Sequence, residues 1–180
     1  MLIAVMSDLH DNIAAWRSIV KYLNNEQALF LINCGDTCAP AMLQEMSATY
    51  HGHINTVFGN VADRELETKI VKELTNVTHH GDRGLVALDG KRVFFNHFPG
   101  PAEEIALSGD VDLACHGHTH LKRWEPSTTP RATRRVLGKP SRHPVTMILN
   151  PGTAGGMFQY PSFATVDLAA MTCQFHEVTV

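Results

Sequence analysis

Three histidines, His116, His118 and His120, alternate within the short stretch HGHTH, although the 180-residue chain has only 11 histidines. Along an extended strand the side chains alternate with a period of two, so these three rings would point to one side. Imidazole is the commonest protein ligand for metal ions. The spacing therefore predicts a shared target for these rings at the end of a strand.

Four other polar motifs follow apolar runs in the same way: SDLHDN from Ser7, CGDTC from Cys34, FGNVAD from Phe58 and NHFPG from Asn96. Because the carboxyl ends of strands line the ligand crevice of an open α/β sheet, five strand ends can converge on one site. The side chains in these motifs that can donate to a cation are Asp8, His10, Asp36, Asn60, His97, His118 and His120.

The mixture of imidazole and carboxylate donors points to transition-metal chemistry. Such mixtures suit Mn²⁺, Fe, Ni²⁺, Co²⁺ or Zn²⁺ better than Mg²⁺ or Ca²⁺, which prefer shells of oxygen. One carboxylate can bridge two cations about 3.5–4 Å apart, the separation typical of two-metal hydrolytic sites. Two carboxylates against two divalent cations leave a net charge of about +2. Such a centre favours an anionic substrate.

The composition is that of an ordinary globular domain, with 44% hydrophobic residues, 18% charged residues and a net charge of −3. This charge argues against a chain that coats nucleic acid over its whole surface. The start of the chain has no basic region, and its apolar run from Leu2 to Met6 is too short for a signal peptide or membrane span. We therefore expect a cytoplasmic protein without membrane contact. The cysteines show no framework spacing and are expected to be reduced core residues: Cys34, Cys38, Cys115 and Cys173.

Short apolar runs rich in branched residues alternate with helical patterns, which predicts an α/β fold that opens with a βαβ unit. Helices are predicted at 12–25, 40–50 and 63–74, with Pro40 in the first turn of the second and Asp63 capping the third. A hairpin is predicted at 84–97, because Asp89 and Gly90 suit a two-residue primed turn. The other predicted strands cover 2–8, 28–36, 54–60, 111–120 and 145–152, followed by a hairpin at 162–178.

The ordered motifs SDLHDN, NCGDT, FGN, NHFPG and CHGHTH resemble those of the calcineurin-like metallophosphoesterases, in particular their small bacterial and archaeal phosphodiesterase branch. The resemblance runs from Ile3 to about Gly156 and includes NPGTAG, which is similar to the Asn-Pro-Gly-Ser turn of that branch. It implies two mixed β-sheets packed face to face as a sandwich flanked by helices. It also implies a single domain of residues 1–180 with a binuclear metal site at one edge.

The same resemblance implies roles for the donors. Asp36, Asn60 and His97 are expected to be the catalytic members, with Asp36 bridging two metal ions, Mn²⁺ before Ni²⁺, Fe, Co²⁺ or Zn²⁺. A hydroxide between the two ions would attack phosphorus in line while both cations neutralise the phosphate oxygens. The two expected ligand sets are Asp8, His10, Asp36 and His120 for one ion, and Asp36, Asn60, His97 and His118 for the other.

Two positions depart from the family pattern. Val61 stands where many members carry a histidine that acts as general acid, and Phe98 and Pro99 follow His97 where Gly-His is usual. Since valine cannot donate a proton, the leaving oxygen must take one from water or another group, or depart as an anion. That expectation favours activated diesters, although cyclic nucleotides, nucleic-acid ends and small phosphodiesters all fit the donor set.

Two polar neighbours of the donors are left outside the ligand sets. His116 is expected to lie in the core or to hydrogen-bond behind the site, since outer partners commonly orient metal ligands. Asp11 can contact substrate or cap the helix that opens at Asn12 and Ile13, and its residue type favours the cap.

The segment from Leu121 to Pro144 is the least similar to the family, and it holds seven of the 15 Lys and Arg residues against one acid, Glu125. Because this insertion leaves directly from His120, we expect its base near the site. It is either a basic flap for phosphate-bearing substrate or nucleic acid, or a solvated loop or contact in a homo-oligomer. Its four prolines argue against a helix.

Two classes of function fit these observations: a metal-dependent phosphodiesterase, or a binding scaffold that keeps the fold without the chemistry. A scaffold would tolerate degraded ligand positions. All seven donor positions hold competent residue types, which favours the enzyme.

Overall fold

The computed structural model describes residues 1–127 and 145–179, and the backbone of two short strands between them. The helices are α1 (Ile13–Asn25), α2 (Pro40–Thr49), α3 (Arg64–Val71) and α4 (Pro99–Ser108). The strands are β1 (Leu2–Met6), β2 (Phe30–Asn33), β3 (His53–Thr56), β4 (Val77–His79), β5 (Arg83–Leu88), β6 (Lys91–Asn96), β7 (Leu113–Cys115), β8 (Arg123–Pro126), β9 (Arg135–Val136), β10 (Lys139–Pro140), β11 (Met147–Asn150), β12 (Ser162–Asp167) and β13 (Thr172–Glu177).

Two mixed sheets carry the fold. The first has the order β13-β12-β1-β2-β3-β4, in which β1 to β4 are parallel and β12 and β13 pair antiparallel at one side. The second has the order β5-β6-β7-β11-β8, with β6, β7 and β11 parallel and an antiparallel strand at each edge. Strands β9 and β10 pair only with each other. Parallel neighbours place their carboxyl ends at the same edge, which is where a site can form.

The core explains why the strands are apolar on both faces. In β1, Ile3 and Val5 point toward the second sheet, whereas Ala4 and Met6 point toward α1 and α2. The layer between the sheets contains side chains of both, and a third cluster packs α4 on the outer face of the second sheet. The order of layers is therefore helix, sheet, sheet, helix. The predicted sandwich of two mixed sheets flanked by helices is confirmed.

Several predicted ends of elements follow the expected chemistry. The Asn12 side chain accepts a hydrogen bond at the start of α1, Asp63 caps α3, and Pro40 opens α2. Asp89 and Gly90 join β5 to β6 with φ angles of 50° and 73°, as a primed turn requires. Within the described ranges, none of the helices is long and apolar enough to cross a membrane.

The sequence patterns do not predict β4, α4 or β8. Helix α4 begins with the sequence PGP, and only Ala102 and Ala106 are buried among its nonpolar side chains, so its periodicity is weak. Strand β8 is charged and ends at Pro126, which an edge strand tolerates. Because β8 pairs with β11, residues 123–126 of the predicted insertion belong to the second sheet.

Candidate metal centre

The loops that follow the parallel strands of both sheets are hydrogen-bonded to one another. The Asp8 N–H donates to the Gly35 carbonyl, and the Gly117 N–H donates to the His97 carbonyl, both at 3.0 Å. The His118 N–H donates to Asp8 Oδ2 at 3.0 Å, which joins the first sheet to the second. These backbone contacts hold the strand-end motifs against each other, as their position in the sequence predicts.

The carboxylates at this junction face imidazole nitrogens. Asp8 Oδ1 lies 3.1 Å from His120 Nε2 and 3.9 Å from His10 Nε2. Asp36 Oδ2 lies 3.2 Å from His97 Nε2. Five of the predicted donors therefore form two carboxylate–histidine groups.

The remaining two predicted donors complete the cluster. Asn60 Oδ1 lies 2.8 Å from His97 Nε2 and 2.9 Å from His118 Nδ1. The structure thus brings all seven predicted donors together. Two groups within the cluster can each hold an ion, because their ligand atoms all lie within 4.8 Å of one another: Asp8, His10 and His120, and Asp8, Asp36 and His97.

Asp8 is the member common to those two groups. The bridging role predicted for Asp36 stays a prediction. His10 Nε2 is buried and has no hydrogen-bond partner among the described residues. A buried imidazole nitrogen of this kind, 3.9 Å from Asp8 Oδ1, fits a metal ligand, because an unsatisfied polar atom is otherwise costly.

The seven donors divide by burial into a floor and a rim. The floor consists of Asp8, Asp36 and His97, which are no more than 3% exposed. The rim consists of His10 and His120, which are half-buried, and of Asn60 and His118, which are exposed. A substrate from solution therefore meets the rim first.

Within the floor, Asp36 and His97 each stabilise the charged form of the other. Burial acts to raise the pKa of the Asp36 carboxyl group, but the hydrogen bond and charge of His97 outweigh it, so this pKa lies below its ordinary value. Burial acts to lower the pKa of His97, and the Asp36 carboxylate outweighs it, so the pKa of His97 is raised. The backbone N–H of Val61 also donates to Asp36 Oδ1 at 3.1 Å. Asp36 is therefore held as an anion.

The backbone of the donor loops is left-handed at most of the donor positions. Residues Asp8, His10, Asp36, His118 and His120 have φ angles of 57°, 48°, 54°, 66° and 60°. The predicted extended strand over HGHTH is therefore wrong, because β7 ends at Cys115. The rings of His118 and His120 are therefore oriented by turns and not by the alternation of a strand.

Two glycines allow the loops to approach so closely. A Cβ atom on Gly59 would lie 1.7 Å from Asp36 Oδ1, and one on Gly117 would lie 1.9 Å from Ser7 Oγ. Any other residue would displace the floor carboxylate or the strand end beside it.

Three of the four donor histidines use Nδ1 for a partner behind the site, which directs Nε2 into the cluster. Partners of this kind fix the tautomer and orientation of metal-binding imidazoles. They are the Cys34 carbonyl for His97 at 2.9 Å, the Met157 carbonyl for His120 at 3.0 Å, and Cys38 Sγ for His10 at 3.4 Å.

Sequence reasoning missed two of these partners. Cys38 was predicted to be a core residue, but it is only partly buried and contacts His10; its place in the CGDTC motif is the signal that points to the site. Met157 acts through its carbonyl, and a backbone contact leaves no signature in the sequence.

The two polar residues outside the ligand sets have structural contacts. His116 is 1% exposed and its Nδ1 lies 3.0 Å from the Gly117 carbonyl oxygen, so its predicted position in the core is confirmed. Asp11 does not cap α1, which is capped by Asn12. Both Asp11 oxygens instead accept from the Ala39 N–H at the start of α2, at 2.9 and 3.1 Å. The predicted cap by Asp11 is therefore wrong, because Asn12 caps α1 and α2 has no side-chain cap.

The first basic residues after His120 are already paired with acids. The Arg123 guanidinium lies 2.6 Å from Glu103 and 2.7 Å from Glu125, and Lys122 Nζ lies 3.4 Å from Glu177. These two cations therefore add little free positive charge near the site. The side chains of the other five basic residues of the insertion lie outside the described residues: Arg131, Arg134, Arg135, Lys139 and Arg142.

The fold is a sandwich of two mixed sheets, and a cluster of Asp, His and Asn lies at its strand ends. This combination is that of the metallophosphoesterase class. The sequence model of the calcineurin-like phosphoesterase superfamily domain matches residues 1–171, so the chain belongs to that superfamily. The predicted family is confirmed, and so is the predicted enzyme class, a hydrolase acting on phosphoric ester bonds.

Known proteins resemble the chain over most of its length. Phosphodiesterase MJ0936 of Methanocaldococcus jannaschii is 27% identical over 127 residues, which cover 69% of this chain and 76% of that protein. The solved structure of an archaeal phosphodiesterase superposes with a TM-score of 0.81 at 23% identity and covers 99% of this chain and 100% of its own. Yfce, a phosphoesterase from E. coli, gives a TM-score of 0.63 at 18% identity with coverage of 99% and 100%. The two structural similarities support the fold.

Proposed function

We propose that the chain is a metal-dependent phosphodiesterase that binds two divalent transition-metal ions in its cluster of seven donors. The observation that carries the proposal is the pair of donor groups that share Asp8, each with its ligand atoms within 4.8 Å of one another. The mixture of imidazole and carboxylate supports Mn²⁺ as our first choice, with Ni²⁺, Fe, Co²⁺ or Zn²⁺ as alternatives. The relative named a phosphodiesterase supports a diester rather than a monoester as substrate.

The floor and the rim divide the binding task. When bound, the ions draw charge from the phosphate oxygens and lower the pKa of coordinated water, which is the chemistry that ester hydrolysis needs. The floor carboxylates supply the fixed negative charge, and the exposed Asn60 and His118 face the side from which a diester enters. The residues that would hold the ions are Asp8, His10, Asp36 and His120 for one, and Asp36, Asn60, His97 and His118 for the other.

Val61 limits which diesters can react. Its N–H is used by Asp36 Oδ1, and its apolar side chain is 47% exposed beside the floor. This position therefore offers no proton to a leaving oxygen. A leaving group that is stable as an anion, such as an aryl oxide, needs no proton, whereas an alkoxide must take one from water. The enzyme should favour activated diesters.

We also propose a cellular location and partners for the protein. The four cysteines are free thiols, which supports a reducing compartment such as the cytoplasm. The insertion at 121–144, in a single domain of residues 1–180, is proposed as the contact for nucleic acid or for a second copy of the chain. Its five remaining cations support either contact, because they carry charge in excess of the nearby acid.

The test is hydrolysis by metal-free protein to which single metals are returned. The protein is stripped with a chelator, reconstituted with Mn²⁺, Ni²⁺, Fe²⁺, Co²⁺ or Zn²⁺ one at a time, and assayed with bis(4-nitrophenyl) phosphate and with 4-nitrophenyl phosphate. We expect metal-dependent release of nitrophenolate and a higher kcat/KM for the diester. A preference for the monoester would contradict the choice of diester, and no hydrolysis with any of the five metals would favour a binding scaffold.

A further inference from the structure

Two exposed phenyl rings border the donor cluster. Phe98, which follows His97, is 44% exposed, and its ring centroid lies 4.8 Å from that of His118 and 5.1 Å from that of His97. Phe158 is 86% exposed and lies nearly parallel to the His120 ring, with centroids 5.9 Å apart and an interplanar angle of 24°. Each half of the cluster therefore carries one large apolar side chain that solvent can reach.

The backbone holds both rings in place beside the histidines. The Asn96 side-chain amide donates to the Phe98 carbonyl at 2.7 Å, and Phe98 is the residue immediately before α4. Phe158 has a φ of 62°, a conformation that bulky residues rarely adopt. The residue before it, Met157, is bound through its carbonyl to His120 Nδ1 at 3.0 Å. The position of Phe158 is thus coupled to a donor histidine.

Burial does not explain why phenylalanine occupies positions 98 and 158. Both keep much of their apolar surface in water, so the hydrophobic effect gives little reason for a phenylalanine at either place. Val61 adds a further exposed apolar side chain beside Asp36. Exposed apolar side chains therefore lie beside both halves of the cluster.

We propose that Phe98 and Phe158 are specificity-determining residues that bind the flat, ring-bearing ester groups of a phosphodiester, either aryl or nucleoside. The inference rests on the proposed phosphodiesterase function. A diester carries two ester groups away from phosphorus, and each half of the cluster carries one ring to receive such a group. Aromatic rings bind any planar ring system through its face, independently of its hydrogen bonds.

A pair of matched substrates isolates this contribution. Bis(4-nitrophenyl) phosphate and methyl 4-nitrophenyl phosphate have the same charge and the same leaving group, and they differ only in the second ester group. Stacking on one ring is worth about a tenfold preference, so the wild-type protein should favour the aryl ester by roughly that factor. Of Phe98→Ala and Phe158→Ala, the variant at the ring that receives the second ester group should lower kcat/KM about tenfold for the bis-aryl ester and less than about twofold for the methyl ester. The variant at the ring that receives the leaving nitrophenyl group should lower kcat/KM about tenfold for both substrates.

Matched variants separate stacking from other effects. Phe98→Leu and Phe158→Leu keep an apolar side chain without a ring and should show most of the loss seen in the corresponding Ala variants. Leu107→Ala, which removes a 45% exposed side chain on α4, should leave the aryl preference unchanged. The metal content of each variant, measured by elemental analysis, shows whether the donor histidines have kept their ions.

Three results would overturn the inference. Equal losses for both substrates in both Ala variants, or loss of metal from the variants, would mean that the rings only position the histidines. No change for either substrate would mean that the rings do not contact the ester groups. A wild-type dimer that the Phe158→Ala change converts to monomers would mean that a second copy covers Phe158 and the exposed Tyr160. A wild-type protein that hydrolyses neither diester would instead contradict the proposed function itself.

Discussion

The floor and the rim of the donor cluster are built in different ways. The floor residues Asp8, Asp36 and His97 are fully buried and bonded to the backbone of neighbouring strand ends. The rim residues Asn60 and His118 are exposed and are bonded mainly to other donors. The backbone of the fold therefore fixes the floor residues, whereas the exposed rim residues are held mainly by the other donors. Changes in the floor should affect stability and activity together, and changes in the rim should affect activity alone.

Removal of the metal ions affects the floor and rim donors together and should have the largest effect on activity. We expect a chelator to abolish hydrolysis and Mn²⁺ to restore it, with two ions bound per chain by elemental analysis. Ions that bind only the folded state stabilise it, so the metal-free protein should also melt at a lower temperature. A metal-saturated protein that holds no more than one ion in the cluster would contradict the binuclear site.

Asp36→Asn should have the next largest effect, because it weakens a donor that both ligand sets are proposed to share. Loss of a partner behind a metal ligand costs roughly 10- to 100-fold in activity, so loss of the ligand itself should cost more than about 100-fold. The matched control is Asp11→Asn, which keeps one oxygen for the Ala39 N–H and should change kcat/KM less than about twofold. Similar activity of the two variants at saturating metal would contradict the assignment of Asp36.

His97→Ala and His118→Ala compare the floor with the rim directly. Without His97, the Cys34 carbonyl and Asp36 lose buried partners, which should lower the free energy of unfolding by about 2–4 kcal/mol. His118 is exposed, so its removal should change that energy by no more than about 0.5 kcal/mol. Both should lose more than about tenfold in activity.

Thermal melts of the metal-free proteins separate the two histidine variants. A loss of 2–4 kcal/mol corresponds to a fall in Tm of roughly 5–15 °C for a chain of this size, against little change for His118→Ala. Equal melting temperatures would remove the distinction between floor and rim.

Replacing Arg131, Arg134 and Arg135 with Ser should have the smallest effect, because none of the three is a proposed metal ligand. If these residues steer an anionic substrate, KM for a highly charged diester should rise by roughly two- to fivefold, kcat should stay the same, and the rate should depend less on ionic strength. A small, singly charged diester serves as the control. The same salt dependence in both proteins would exclude steering, and a changed mass by light scattering would indicate assembly.

The sequence predicts the floor of the site well because apolar runs mark where strands end. Asp8 and Asp36 follow β1 and β2, whose parallel pairing brings the two motifs together. His97 follows β6 of the second sheet and meets them where the two sheets pack. The primed turn at Asp89 and Gly90 was predictable for the same kind of reason, since few residue types adopt its backbone angles.

The rim and its surroundings are harder to predict because turns and tertiary contacts position them. Alternation in HGHTH suggests a strand, but left-handed angles at His118 and His120 end it, and histidine gives no local signal of that choice. The Met157 carbonyl and the Phe158 ring reach His120 from a loop almost 40 positions away, a contact that arises only from the packing of the two sheets.

The left-handed donor positions have a consequence for laboratory evolution. A residue other than glycine costs on the order of 1 kcal/mol in this conformation, and Asp and His tolerate it better than most. At the solvent-facing His118, glycine would relieve that cost without leaving a large cavity. A screen that selects for heat resistance alone would therefore favour glycine there and would discard the donor. Selection of thermostable variants of this protein should score turnover in every round.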